Sequence, residues 1–272
     1  SYDGAFIQYQ MKDNIAIKAG DFTYSEGAFR YYDYDDPGDA AVGMAERSVR
    51  GIEVDAYGLT VGIGFGADDD DCEASDAGCT TYDVHAAYDF SFGSNAVRPY
   101  INYKSYQVEN GNSLRAGVTA NLVFGNVANV QAVYGLYSDA LSEDSPKMSH
   151  AFAVEPEVSI GKVSVKGTAY YAILDDENPT AVDAPEYMFA YVEPAFALSE
   201  NLSLGIQGEY HTMTLDDDAD LAQVFVGPKA YFSPVENLSM EGYVRACKPI
   251  GDDYGDSDDV YFGAGAYVGF TF

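Results

Sequence analysis

The stretch Val260-Tyr261-Phe262-Gly263-Ala264-Gly265-Ala266-Tyr267-Val268-Gly269-Phe270-Thr271-Phe272 closes the chain and alternates strictly. Val260, Phe262, Ala264, Ala266, Val268, Phe270 and Phe272 fall on one face, and tyrosines, glycines and Thr271 on the other. A period of two specifies a strand, because successive side chains point to opposite sides of the pleat. Working back from this stretch, the same period recurs along the chain. Fifteen strands can be placed between Ala5 and Phe272 by alternation and turn signals.

The connections between them are of two kinds, in alternation. One kind is short: Asp13-Asn14, Tyr57-Gly58, Gly93 to Ala96, Gly125 to Asn129, Gly161, Ser199 to Asn201 and Pro234 to Asn237. The other is longer and acidic, with Asp33 to Asp39, Asp68 to Asp71, Asp175 to Glu177, Asp216 to Asp220 and Asp252 to Asp259. The formal charge of −30 therefore belongs mostly to one set of connections. This balance speaks against nucleic acid, whose binding needs a basic stripe. A hydrophobic content of 47% excludes a disordered acidic chain. The 24 Tyr and 15 Phe favour strands, and no run of 18 apolar residues supplies a membrane helix.

The strand faces are chemically distinct. Leu114, Ala116, Val118, Ala120, Leu122 and Phe124 share one side of a strand, as do Val163, Val165, Gly167, Ala169, Tyr171 and Ile173. Leu202, Leu204, Ile206, Gly208 and Tyr210 do the same in a third. Charges fall almost wholly on the opposite side. On the apolar side, Phe90, Phe92, Phe124, Phe196, Phe232, Phe270 and Phe272 lie near short turns, and Tyr82, Tyr171 and Tyr210 nearer the long connections. Two such girdles mark the two interfaces of a membrane-spanning wall.

With its alternating hairpins, aromatic girdles and terminal Phe272, the chain resembles the porin-type outer-membrane barrels of Gram-negative bacteria. The resemblance implies an all-β fold: one domain over residues 1–272, a transmembrane antiparallel meander β-barrel of fourteen to sixteen strands. It implies short periplasmic turns, longer acidic extracellular loops and a bacterial outer-membrane location. The expected function is passive diffusion of small hydrophilic solutes or ions through a water-filled lumen, without catalysis. The expected surroundings are outer-membrane lipid and lipopolysaccharide, with no nucleic acid and with a homo-oligomer as one outcome. An odd count places Ser1 at the end opposite Phe272. An N-terminal strand outside this sequence would bring the total to sixteen, and one miscounted strand would make it fourteen.

The parity of each strand names the candidate pore lining: Lys18, Glu53, Asp55, Asp83, His85, Arg98, Lys104, Arg115, Glu155, Glu157, Lys166, Glu193, Glu209, His211, Lys229, Glu241 and Arg245. Arg98, Lys104 and Arg115 sit on adjacent strands, and Glu155, Glu157, Glu193 and Glu209 cluster later. Segregated signs would set a transverse field across a lumen. The other reading is a set of solvated or mutually paired wall residues. Cys72 and Cys79 flank six residues, which suits a disulfide-closed loop in an oxidising compartment and equally two reduced thiols. Cys247 has no evident partner. No cofactor is expected. The loop carboxylates offer oxygens for Ca²⁺ without EF-hand spacing, so solvated loops are expected instead.

Two alternatives use the same residues. A structural or adhesive surface barrel would have a closed lumen and working loops. An omptin-like hydrolase would use Glu209 and His211, whose acid–imidazole pairing could activate water, although the second acidic pair of that family is not found. Finally, Val154-Glu155-Pro156, Val192-Glu193-Pro194 and Val226-Gly227-Pro228 repeat with one hairpin between each, which suggests three local bulges.

Overall fold

The computed structural model describes residues 5–25, 46–67, 80–106, 112–138, 148–173, 186–214, 220–250 and 259–271. The strands are β1 (Phe6–Lys12), β2 (Ile15–Ser25), β3 (Glu46–Ala56), β4 (Leu59–Ala67), β5 (Thr80–Tyr88) and β6 (Phe90–Phe92). They continue with β7 (Asn95–Tyr106), β8 (Ser113–Phe124), β9 (Ala128–Ser138), β10 (Ser149–Ile160) and β11 (Val163–Ile173). The last are β12 (Glu186–Ala197), β13 (Leu202–Thr214), β14 (Asp220–Val235), β15 (Leu238–Ile250) and β16 (Tyr261–Phe270). All lie in one sheet, each paired antiparallel with its neighbour in the chain, and β5 and β6 both pair with β7. The strand expected over residues 81–92 is thus interrupted at Asp89, so the wall has fifteen positions.

Among the described residues β1 pairs with β2 alone and β16 with β15 alone. Fifteen alternating positions make these two strands run the same way. Phe6 stands at the long-connection end and Phe270 at the short-turn end, as the parity of the count requires. Ser1 and Phe272 themselves lie outside the described residues, as do the acidic connections and both Cys72 and Cys79.

The short connections follow from local chemistry. Tyr57 and Gly58 have φ of 54° and 86°, the left-handed pair that a two-residue hairpin of matching twist demands. Gly93, Gly125 and Gly161 also adopt positive φ at the starts of their turns.

The three Val-x-Pro sites are not bulges. Pro156, Pro194 and Pro228 pair in register with Val130, Val165 and Ile206 of the preceding strands. Toward the following strands the ladder skips two residues at each site, yet the register is unchanged on either side. Proline lacks the N–H for those rungs, and no extra residue is inserted. The register shifts among the described ladders fall instead between Gln10 and Lys12 and between Phe232 and Val235.

The two faces separate as the alternation requires. In β12 the burial alternates along the whole strand: Tyr187, Phe189, Tyr191, Glu193 and Ala195 are buried, and Met188, Ala190, Val192, Pro194 and Phe196 are exposed. Phe90, Phe92, Phe124, Phe196, Phe232 and Phe270 are 43–58% exposed, each close to a short turn. Toward the other end the outward tyrosines include Tyr82, Tyr103, Tyr134, Tyr171 and Tyr210. Tyr134 Oη is 2.9 Å from His150 Nδ1, and Tyr171 donates to Glu186 Oε2 at 3.2 Å.

The outward face is not wholly uncharged. Asp21 and Arg50 form a two-point pair there (2.6 and 3.3 Å), and Lys248 also points outward. These groups, with His150 and Glu186, are confined to the half of the wall nearer the long connections.

Candidate functional site

The site is the inward face, and its chemistry falls into two sectors. In the first, β2 to β5 and β7 to β9 contribute through alternate positions, with Asp89 standing between β5 and β6. Lys18 Nζ is 2.7 Å from Glu53 Oε1. Arg98 binds Asp89 Oδ2 at 2.9 Å and donates to Thr60 Oγ1 at 3.1 Å, and Thr60 in turn donates to Asp55 Oδ1 at 2.6 Å. Asn102 donates to the buried Asp83, which stands opposite Lys104 in the ladder. The Tyr24 ring stacks on His85 with centroids 4.0 Å apart. It can lie there because Gly62 leaves the wall bare beneath it, and any Cβ at Gly62 would meet the Tyr24 hydroxyl. Arg115 lies over the Tyr137 ring at 4.9 Å.

The second sector spans β10 to β15. Its hub is Glu193, which is completely buried. It accepts from Tyr191 and, at 2.6 and 2.7 Å, from Tyr231. Lys229 lies 3.4 Å from one of its oxygens and 2.7 Å from Glu241. Lys166 stands 4.0 Å from Glu193, faces Glu157 across the ladder, and sits over the Tyr231 ring. Glu155, equally buried, accepts from Thr168 at 3.3 Å.

Beside the hub, His211 Nε2 is 2.5 Å from Glu209 Oε1 and His211 Nδ1 is 2.9 Å from the Tyr187 hydroxyl. Arg245 reaches the other Glu209 oxygen at 3.6 Å and stacks on Phe225. Both imidazole nitrogens are thus engaged by wall groups, one by a carboxylate and one by a phenol.

All seventeen ionisable positions read from alternation stand on the inward face. The expected separation of signs is replaced by pairing: the acidic cluster carries Lys166, Lys229 and Arg245 within it, and the basic residues of β7 face Asp83 of β5 and Asp89 beyond it. Cross-strand register decides this, because it sets residues far apart in sequence side by side. The tyrosines were the missed component. Their parity offered the signal, since Tyr191 shares a face with Glu193 and Tyr231 with Lys229.

This wall, apolar with aromatic rims outside and ionic inside, is the fold of outer-membrane β-barrel proteins. The loop L8 deletion mutant of OmpT, an outer membrane protein of Vibrio cholerae, matches 97% of this chain and 89% of its own at 16% identity and a TM-score of 0.55. A BenF-like porin from Pseudomonas fluorescens matches 98% of this chain and 76% of its own at 10% identity and a TM-score of 0.53. OccK2 of Pseudomonas aeruginosa, solved with glucuronate, matches 96% and 79% at 11% identity and a TM-score of 0.54. No protein-family model and no curated protein sequence matches the chain.

Proposed function

We propose that the chain is a bacterial outer-membrane porin, a closed barrel whose water-filled lumen passes small hydrophilic solutes or ions without catalysis. The short turns face the periplasm and the long acidic connections the exterior. The observation that carries this reading is the division of chemistry across one sheet. Exposed aliphatic and aromatic side chains cover the outside, and among the described residues the ion pairs other than Asp21–Arg50 line the inside. Lipid outside and water inside account for both. The eleven residues of β11 extend about 36 Å, and a tilt near 45° leaves about 25 Å, the height of the apolar band in such barrels.

The outward charged groups Asp21, Arg50, Glu186 and Lys248 stand toward the long connections, where lipid head groups and lipopolysaccharide would meet them. The neighbours of this fold include a porin and a protein solved with glucuronate, a small polar solute. A homo-oligomer belongs to the same reading, since OmpT was also solved in a trimer form. The Glu209–His211 pair supports wall structure over hydrolysis, because Glu209 and Tyr187 engage both imidazole nitrogens and Arg245 reaches the second Glu209 oxygen.

One alternative has support of its own. Ser149, Ala151, Ala153, Glu155, Tyr170 and Ala172 are nearly inaccessible on the inward side, which suits a lumen closed along β10 and β11. Conductance of the purified protein in a planar bilayer separates the readings. The porin gives discrete current steps in potassium chloride. Silence at every voltage, with insertion verified, leaves the closed surface barrel standing.

A further inference from the structure

β6 reaches past its neighbour at the short-turn end. The β4–β5 ladder ends where Leu59 pairs with Tyr88, beside the Tyr57-Gly58 turn, and among the described residues Phe90–Phe92 pair with β7 alone. The step leaves a notch of about 620 Å³ in the rim of the wall, lined chiefly by Tyr57, Tyr88, Asp89, Phe90, Ser91 and Phe92.

Three kinds of group meet in it. Tyr57, Tyr88, Phe90 and Phe92 are 40–69% exposed, and the Tyr88 and Phe90 rings stand edge to face with centroids 4.7 Å apart. Such faces attract a cation. Asp89 holds Arg98 through Oδ2 at 2.9 Å, yet its side chain is still 41% exposed. Ser91 supplies backbone. Phe92 and Asn95 close a two-residue hairpin, so that pair exchanges hydrogen bonds and the next, Ser91 with Ala96, does not. The Ser91 N–H and carbonyl therefore turn away from β7, toward the place where β4 has ended. The Asp89 N–H turns the same way and donates to the Gly58 oxygen at 2.8 Å. An exposed carboxylate among aromatic faces thus stands two residues, about 7 Å, from a peptide N–H and the exposed Ser91 hydroxyl.

We propose that this notch holds the head group of a phospholipid carrying a primary ammonium, of which phosphatidylethanolamine is the simplest. The ammonium lies against the rings and donates to Asp89. The phosphate accepts from the Ser91 N–H and hydroxyl, and the acyl chains follow Phe90 and Phe92 along the outside of the wall. The position argues for lipid: Phe90 and Phe92 belong to the aromatic girdle, so the notch opens at the membrane boundary. The charge argues for an ammonium, because a purely anionic head group has no donor for Asp89. A protein strand would find an edge of only 3 residues in β6, shorter than the usual strand of about five or six. The periplasmic leaflet as the source of the lipid rests on the orientation proposed above, whereas binding itself does not.

The test is native mass spectrometry of the whole chain in detergent micelles, given equal amounts of dioleoyl phosphatidylethanolamine, dioleoyl phosphatidylglycerol or lipid A. The expected result is one retained phosphatidylethanolamine, about threefold or more in excess of either other lipid. Tyr57→Asn with Phe92→Ala should bring its retention down to the phosphatidylglycerol level, and Asp89→Asn should lower it several-fold. Phe124→Ala, which removes an exposed girdle ring on β8, should leave retention unchanged. Equal retention of the three lipids, a preference for lipid A, or dimers of the chain with no lipid retained would overturn the proposal. So would wild-type retention in the double variant, or the same loss in Phe124→Ala. If the double variant loses the folded band on an unheated gel, Tyr57→Asn alone and the comparison of lipids decide it. Current recordings keep the two readings apart. Steps without the lipid preference sink the site alone, and the preference without steps sinks the channel alone.

Discussion

Glu193 shows how a single residue holds this wall together. Its carboxylate has left water entirely, and that cost is met by two phenols and a lysine ammonium arranged around it. A buried charge is tolerated only where its lone pairs are used. Glu193→Gln keeps one acceptor oxygen but removes the charge facing Lys229, and a loss of about 1–3 kcal/mol is expected. Glu193→Ala removes the acceptor that two phenols and a lysine share, and should cost about 3–5 kcal/mol. Urea unfolding in lipid vesicles reads both, and a Glu193→Ala midpoint equal to wild type would contradict the role given to the hub. Lys229 retains Glu241 at 2.7 Å in either variant, which limits the damage to the hub itself. The tyrosines do at this scale what a charge count cannot show. They carry hydrogen bonds from one strand to the next but one, as Tyr231 of β14 does to Glu193 of β12.

At the scale of the element, the hairpins set the register and so decide which face is inward. The Tyr57-Gly58 turn is one instance, with both residues at positive φ. Gly58 sits at φ 86°, and a Cβ there would stand 3.1 Å from the Asp89 carbonyl oxygen. Gly58→Ala should cost about 1–3 kcal/mol through backbone strain. Tyr57→Asn, which suits the left-handed conformation better, should be neutral or slightly stabilising. The same vesicle unfolding measurement compares them, and a Gly58→Ala protein as stable as wild type would show that the turn relaxes. The prolines act differently from a turn. Each removes rungs on one side and leaves the register intact, so the strand carries a local gap without a change of face. This explains why alternation can be read straight through Pro156, Pro194 and Pro228.

At the scale of the whole molecule, the outward and inward faces answer to different solvents. Ala169 is outward near the middle of β11 and Ser164 is inward on the same strand. Ala169→Arg should cost about 2–4 kcal/mol in a bilayer, and Ser164→Arg far less. Equal penalties for the two in vesicle folding would remove the case for lipid on the outside. The odd number of wall positions is also a property of the whole. It sets β1 and β16 in the same direction, so a direct ladder between them would be parallel, unlike every other pair in the described sheet.

The sequence by itself determined the fold class, a range of fourteen to sixteen strands, the face on which the strand residues fall and the end at which each girdle lies. All of these follow from a period of two and from turn residues, which are local properties of the chain. It also located the inward ionisable groups, because parity needs no knowledge of neighbours. The tertiary structure alone decided which of those groups meet. The Glu193–Tyr231 contact and the Lys229–Glu193 pair join residues separated by more than thirty positions, and the Tyr24–His85 stack joins β2 to β5. Register across several strands brings these groups together, and no periodicity within one strand encodes it. The closing stretch illustrates both halves: its alternation named Tyr261 to Phe270 a strand, and only the ladder set Arg245 opposite Gly263 and Glu241 opposite Tyr267.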